Sequence, residues 1–150
     1  MKILLATISP RRSPPSSPAT SLLGGYLERS GRYSPTTHRV FTDEAALFSF
    51  VEDAASRTRP VLLLTDSRGK QLSSEDLAEN VGRLRDTGAQ TLIFAIGPAD
   101  GWSAVALKRA DLTVAFGRIT LPHELAAVVA AEQIYRALTI LAGHPYHSGH

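Results

Sequence analysis

Three observations predict an α/β fold with a mostly parallel sheet of five or six strands between helices. Short apolar segments alternate with helix-like segments along the whole chain. Runs such as Val61-Leu-Leu-Leu64 and Thr91-Leu-Ile-Phe-Ala-Ile96 lack the apolar–polar alternation of a half-exposed strand, so both faces of the sheet are expected to be covered. The 150 residues, 43% of them hydrophobic and 20% charged, suffice for one domain, 1–150, with a real core.

Ile3 to Ile8 reads as a buried strand. It runs into Ser9-Pro-Arg-Arg-Ser-Pro-Pro-Ser-Ser-Pro18, whose four prolines forbid a helix interior or a central strand, so a mobile loop is expected over 9–20. Leu22, Leu23, Tyr26 and Leu27 at helical spacing predict a short helix that Gly31 ends. Arg39 to Phe41 predicts a second strand. A helix follows from Thr42 or Asp43, with Leu47, Phe48 and Val51 on its apolar face, and Pro60 closes that element. Val61 to Leu64 is the third strand, expected to end at Thr65-Asp66 in a turn at Arg68-Gly69. Ser73 as N-cap with Asp76 at N3, and Leu72 and Leu77 at the staple positions, mark the next helix, which Gly88 stops. Thr91 to Ile96 is a strand, Trp102 to Arg109 a short amphipathic helix, Leu112 to Phe116 the last strand, and Gly117 to Leu121 a loop. Pro122 suits the first turn of a final helix to about Ala142, with Gly143 as its cap. Ala127, Ala131, Ile134, Leu138 and Leu141 form one stripe of that helix, which Leu125, Val128, Val129 and Tyr135 widen. A helix apolar over most of its circumference is buried on two sides. A homodimer through this helix is predicted; burial within the same chain is the plainer alternative.

Composition excludes several classes. There is no cysteine, which removes disulfide scaffolds, zinc ribbons and thiol nucleophiles. The longest apolar run, Leu125 to Ala131, has seven residues, against about 20 for a bilayer-spanning helix. The apolar start is too short for a secretory signal, so no membrane association and a cytoplasmic location are expected. The tail His144-Pro-Tyr-His147-Ser-Gly-His150 carries three histidines, but an end without fixed geometry is not read as a metal site. Residues 1–42 carry a net +5 and residues 43–150 a net −3, and arginine outnumbers lysine thirteen to three. Guanidinium groups suit phosphate, so a polyanionic partner is one reading and a solvated surface the other. In such α/β folds ligands sit at the carboxyl ends of the strands, which here selects the loops 65–70, 97–101 and 116–121.

From Leu62 onward the segments LLLTDSRGKQLSSEDLAE, IGPADG, ITLPHELAAVVAAEQIYRA and GHPYH together resemble the bacterial ribosomal RNA large-subunit methyltransferase H family of the knotted SPOUT superfamily. The resemblance implies an enzyme that transfers a methyl group from S-adenosylmethionine to N3 of a pseudouridine in 23S ribosomal RNA. It implies a homodimer acting on the assembled ribosome and a C-terminal trefoil knot whose loops hold the cofactor. Gly97 and Gly101 match the family's glycine loop. Phe116, Gly117, Arg118, Ile119, Thr120 and Leu121 match the segment that wraps the cofactor, with Thr65 beside it. His123 matches a residue that shapes the knot. Arg136 and His144 are implied as substrate contacts, and Tyr146 and His147 as the catalytic pair. In this reading Tyr146 orients the base, and His147 takes the N3 proton directly or through water. Arg29, Arg32 and Arg39 are expected to track phosphates. Three departures stand out: Pro98 in place of a glycine, Arg118 in place of a small residue, and Ser148 in place of a basic one. They support a second reading, a ribosome- or RNA-binding relative with weak or no catalysis.

Overall fold

The computed structural model describes every residue except 12, 13, 15, 149 and 150. Part of the expected 9–20 loop and His150 of the tail therefore lie outside the described residues. Five strands, β1 (Lys2–Ile8), β2 (Thr36–Phe41), β3 (Val61–Gln71), β4 (Thr91–Ile96) and β5 (Leu112–Ala115), form one sheet in the order β2-β1-β4-β3-β5. Every pairing is parallel. Five helices connect and cover them: α1 (Pro18–Ser30), α2 (Glu44–Ala55), α3 (Ser74–Asp86), α4 (Ala104–Arg109) and α5 (His123–Leu141).

Successive side chains of a strand point to opposite faces, and here both faces are buried. Ile3, Leu5, Leu63, Leu92 and Phe94 pack under α1, α3 and α5. Leu4, Ala6, Leu62, Leu64, Ile93 and Ala95 pack under α2 and α4. This explains the missing alternation in the sequence. Phe94 is fully buried in the central strand; truncating such a side chain to alanine costs about 3–5 kcal/mol.

Local signals place the helices. Ser73 accepts the Asp76 N–H at 3.0 Å, and the Asp76 carboxylate accepts the Ser73 N–H at 3.1 Å, a complete capping box. Asp43 caps α2, Ser17 caps α1, and Gly31 ends α1. Pro122 is the N-cap of α5 rather than its first turn, and Gly143 leaves the helix at φ +72°. The breadth of the apolar face of α5 is absorbed largely within the chain: Ala127, Ala131, Ile134 and Leu138 are buried in the same core as α1 and α3. Among its apolar residues Leu125 stays half exposed. No helix among the described residues is long and apolar enough to cross a membrane.

Besides Pro122 and an earlier start of β2 at Thr36 instead of Arg39, two boundaries near the strand ends differ from the sequence expectation. The polar Thr65–Lys70 stretch does not end β3. The strand bulges over residues 66–69 and resumes pairing with β5, Lys70 against Val114 and Gln71 against Ala115. Gly69 allows this, because a Cβ there would lie 2.7 Å from the Thr113 backbone. Trp102 precedes α4 instead of opening it, since Ser103 is the cap and is itself tied to Glu44 at 2.6 Å.

Candidate active site

The chain leaves β3 toward α3 on one face of the sheet and leaves β4 toward α4 on the other. Diverging connections of this kind open a crevice at the carboxyl ends of the strands. A cavity of about 580 Å³ occupies it, within the size range of small-molecule sites. Of the residues the sequence singled out, Thr65, Gly97, Phe116, Gly117, Ile119, Thr120 and Leu121 line it together. Pro98 is also in the lining. Arg118, between the lining residues Gly117 and Ile119, is exposed and is not itself part of the lining.

Close packing, rather than a missing side chain alone, shapes this rim. A Cβ on Gly97 would lie 2.7 Å from Trp102 Nε1, so the buried indole rests directly on the Gly97 backbone. The indole N–H donates to the Thr65 carbonyl at 2.9 Å, tying the β4 loop to the end of β3. The Thr65 hydroxyl is committed to the Ala95 carbonyl at 3.1 Å, so this residue contributes wall and not a free donor. Gly117 at φ +94° turns the chain in a region that L side chains rarely adopt. Ile119 is 72% exposed, an aliphatic side chain at the mouth with no core of its own to enter.

Among the lining residues that carried no individual role in the sequence reading, two stand out. Asp66 presents a carboxylate at the cavity. Arg68 donates to it through Nε at 2.8 Å and Nη2 at 3.0 Å, and this pairing holds its pKa below the usual aspartate value against the opposing effect of burial. Trp102 is the other. The D-S-R spacing and a lone tryptophan after a glycine loop were the available signals. His123, which the sequence reading did single out, also lines the cavity. Its ring hydrogen-bonds the Ile8 backbone, while burial depresses its pKa. Its Nε2 is buried with no partner.

The tail sits elsewhere in the chain. Tyr146 donates to Glu132 at 3.1 Å and packs edge-on against Tyr135, with ring centres 4.7 Å apart. Burial, with Glu132 nearby, pushes the Tyr146 hydroxyl up to about 12. His144 Nδ1 accepts the Tyr146 N–H at 3.1 Å. Arg136 forms an ion pair with Glu132 at 2.7 Å and places a donor 3.0 Å from His147 Nδ1. Arginine only donates, so Nδ1 is the acceptor and Nε2 carries the proton given to Glu75 at 2.6 Å. Both ring nitrogens of His147 are thus engaged. None of His144, Tyr146 and His147 lines the cavity. Two of the three arginines expected to track phosphate stack on aromatic rings: Arg29 on Tyr26 and Tyr135, Arg39 on Phe41 and Phe50. Among the described residues no group of three or more His, Cys, Asp or Glu could hold a metal.

A family profile described as "Predicted SPOUT methyltransferase" matches residues 1–147. The chain belongs to this SPOUT methyltransferase family. It is 53% identical over 130 residues to the ribosomal RNA large subunit methyltransferase H of Koribacter versatilis (strain Ellin345), covering 87% of this chain and 88% of that protein. It is 41% identical over 144 residues to the protein of the same name from Mesorhizobium japonicum, covering 87% and 90%. Among solved structures, a probable methylase family protein from Haemophilus influenzae Rd KW20 superposes with a TM-score of 0.54 at 10% identity, covering 97% of this chain and 70% of that one. The SpoU methyltransferase AviRb from Streptomyces viridochromogenes, solved in complex with the cofactor AdoMet, superposes at 0.50 and 15% identity, covering 96% of this chain and 58% of the longer AviRb chain. These two likenesses bear out the SPOUT-type parallel sheet. SPOUT methyltransferases use S-adenosylmethionine as methyl donor.

Proposed function

We propose that this chain methylates N3 of a pseudouridine in large-subunit (23S) ribosomal RNA, with S-adenosylmethionine held in the cavity at the ends of β3, β4 and β5. The observation that carries the reading is the 53% identity to a ribosomal RNA large subunit methyltransferase H over almost the full length of both chains. The cavity fits the donor. Its lining is mostly apolar, with Phe116, Ile119 and Leu121 among it, suited to the faces of an adenine. The bound donor supplies an electrophilic methyl group. The residues of the chain bind and orient: Gly97, Phe116, Gly117, Thr120 and Leu121 form the walls, and Ile119 closes the mouth. Alignment of this kind supplies up to about 7–11 kcal/mol in a displacement reaction.

N3 of a pseudouridine must lose its proton to attack. His147 is proposed as the acceptor, with Tyr146 orienting the base and Arg136 and His144 contacting the substrate. The Nδ1 lone pair of His147 is occupied by Arg136 in the described arrangement. The role therefore requires the tail to leave Glu75 and Arg136. The same proposal includes a homodimer through α5, the C-terminal trefoil knot, the ribosome as working partner and a cytoplasmic location. A catalytically inactive RNA-binding relative is not favoured, since the relatives that match over most of the chain are named methyltransferases.

The test is transfer of labelled methyl from S-adenosylmethionine to ribosomes lacking the modification, with mapping of the modified nucleotide. Methylation at a pseudouridine N3 is expected. His147→Ala is expected to lower kcat with cofactor Kd unchanged. Absence of transfer by a protein that binds the donor would overturn the reading, and equal loss of binding and turnover in His147→Ala would remove His147 as the proton acceptor.

A further inference from the structure

Glu132 lies on α5 one turn before Arg136, and residues four apart share a helix face. Arg136 donates to Glu132 Oε1 through Nε at 2.9 Å and Nη2 at 2.7 Å. The Tyr146 hydroxyl donates to the same oxygen at 3.1 Å. Gln133 Nε2 donates to Oε2 at 2.7 Å, and the Gln133 carbonyl accepts from the Ser74 hydroxyl of α3, also at 2.7 Å. Each contact on the carboxylate is a donation to it, so Glu132 serves as an ionised, acceptor-only group. One side chain thus ties α5, α3 and the tail together. Tyr26 of α1 meets the Tyr146 hydroxyl as well.

The tail has two acidic anchors, and they are unequal. Glu75, which accepts from His147 Nε2, is 63% exposed, whereas Glu132 is 17% exposed. Solvent and salt weaken an exposed pair. A shielded, charge-assisted bond is stronger. Release of His147 therefore begins at Glu75, and Glu132 keeps its hold. That hold reaches His147 by a short path. Arg136, fixed on Glu132 through Nε and Nη2, places Nη1 3.0 Å from His147 Nδ1, and its guanidinium lies 4.8 Å over the Tyr146 ring. Tyr146 precedes His147 directly. With Tyr146 pinned, the Cα of His147 stays about 3.8 Å from that of Tyr146 after its own bonds open. A proton acceptor works only from a defined place beside the group it serves.

We infer that Glu132 is the positioning residue of the site, holding Tyr146 and Arg136 in place while His147 is released to take the proton. The inference rests on the proposed reaction for the roles of those three residues, while the hold on the tail rests on the bonds of Glu132. The test uses the full chain with Glu132→Ala, Tyr146→Phe and the double variant. On ribosomes lacking the modification, Glu132→Ala is expected to lower kcat about tenfold, the size of one lost hydrogen bond. The Kd for S-adenosylmethionine should not change, because Glu132 does not line the cofactor cavity. Tyr146→Phe removes the same bond from the tail side and carries the same prediction should Glu132→Ala not fold. The double variant should be no slower than Glu132→Ala, since both changes break one linkage. Wild-type kcat, losses that multiply in the double variant, or a parallel loss of cofactor binding overturn the inference. Amide NMR separates the hold from the reaction: in Glu132→Ala the signals of His144, Tyr146, His147 and Ser148 are expected to move. Tail signals that stay in place overturn the inference. Tail signals that move in a protein whose wild type methylates no ribosomal RNA uphold the hold and refute the reaction.

Discussion

The rim of the β3–β4–β5 cavity is mostly main chain, whereas the C-terminal tail is fastened mostly by side chains. At the rim, Gly97 lies under Trp102, Gly117 turns at positive φ, and the indole N–H reaches the Thr65 carbonyl. In the tail, His147 bridges Arg136 and Glu75, and Tyr146 reaches Glu132. Main-chain geometry in a packed setting has few alternatives. Side-chain ion pairs near the surface contribute little each and are exchanged at low cost. The rim therefore reads as a fixed receptor and the tail as a strap that can be released.

Substitutions that break the rim should have the largest effects. Gly97→Val forces Trp102 off its seat and is expected to cost at least about 1–3 kcal/mol, the usual range for overpacking, and to abolish S-adenosylmethionine binding. Thermal unfolding together with calorimetry checks both. Trp102→Phe keeps the ring packing but loses the bond to Thr65, for about 0.5–1.5 kcal/mol. If it weakens cofactor binding while Tm falls only slightly, the link between the loops serves the site.

Asp66→Asn sharpens the comparison through pH. Arg68 lowers the folded-state pKa of Asp66, so the contact stabilises the fold fully above the ordinary aspartate value of about 3.9 and fades as pH falls through the lowered one. The variant's Tm deficit should accordingly be constant near neutrality and shrink on acidification to about pH 3; a deficit that persists there would mean the loss is packing rather than charge. The smallest effects belong to the strap. Glu75→Gln and Tyr146→Phe should each change stability by less than about 1 kcal/mol and leave cofactor Kd unchanged. A large Tm loss from either would show the tail to be part of the folded core.

The same contrast explains what the sequence made legible. Apolar runs, the Ser73–Asp76 capping box and the glycines at 97 and 117 are local signals, and they placed the sheet, α3 and the cavity walls. β3 was expected to stop early because Asp66, Ser67 and Arg68 are polar; its continuation depends on Gly69 fitting against Thr113, a contact with a strand more than forty residues later. Trp102 was read as part of a helix because its partners, Gly97 and Thr65, meet it only in the folded sheet. The latch on His147 joins residues from three elements, and no spacing rule connects Glu75, Arg136 and His147.

Calorimetric titration of S-adenosylmethionine into the wild-type protein and Gly117→Val tests the central claim most directly. The fixed-receptor account predicts micromolar binding to the wild type, at one site per chain or per dimer, and none to the variant, whose side chain cannot hold φ +94° without strain. No binding to the wild type, or equal binding to both, would contradict it.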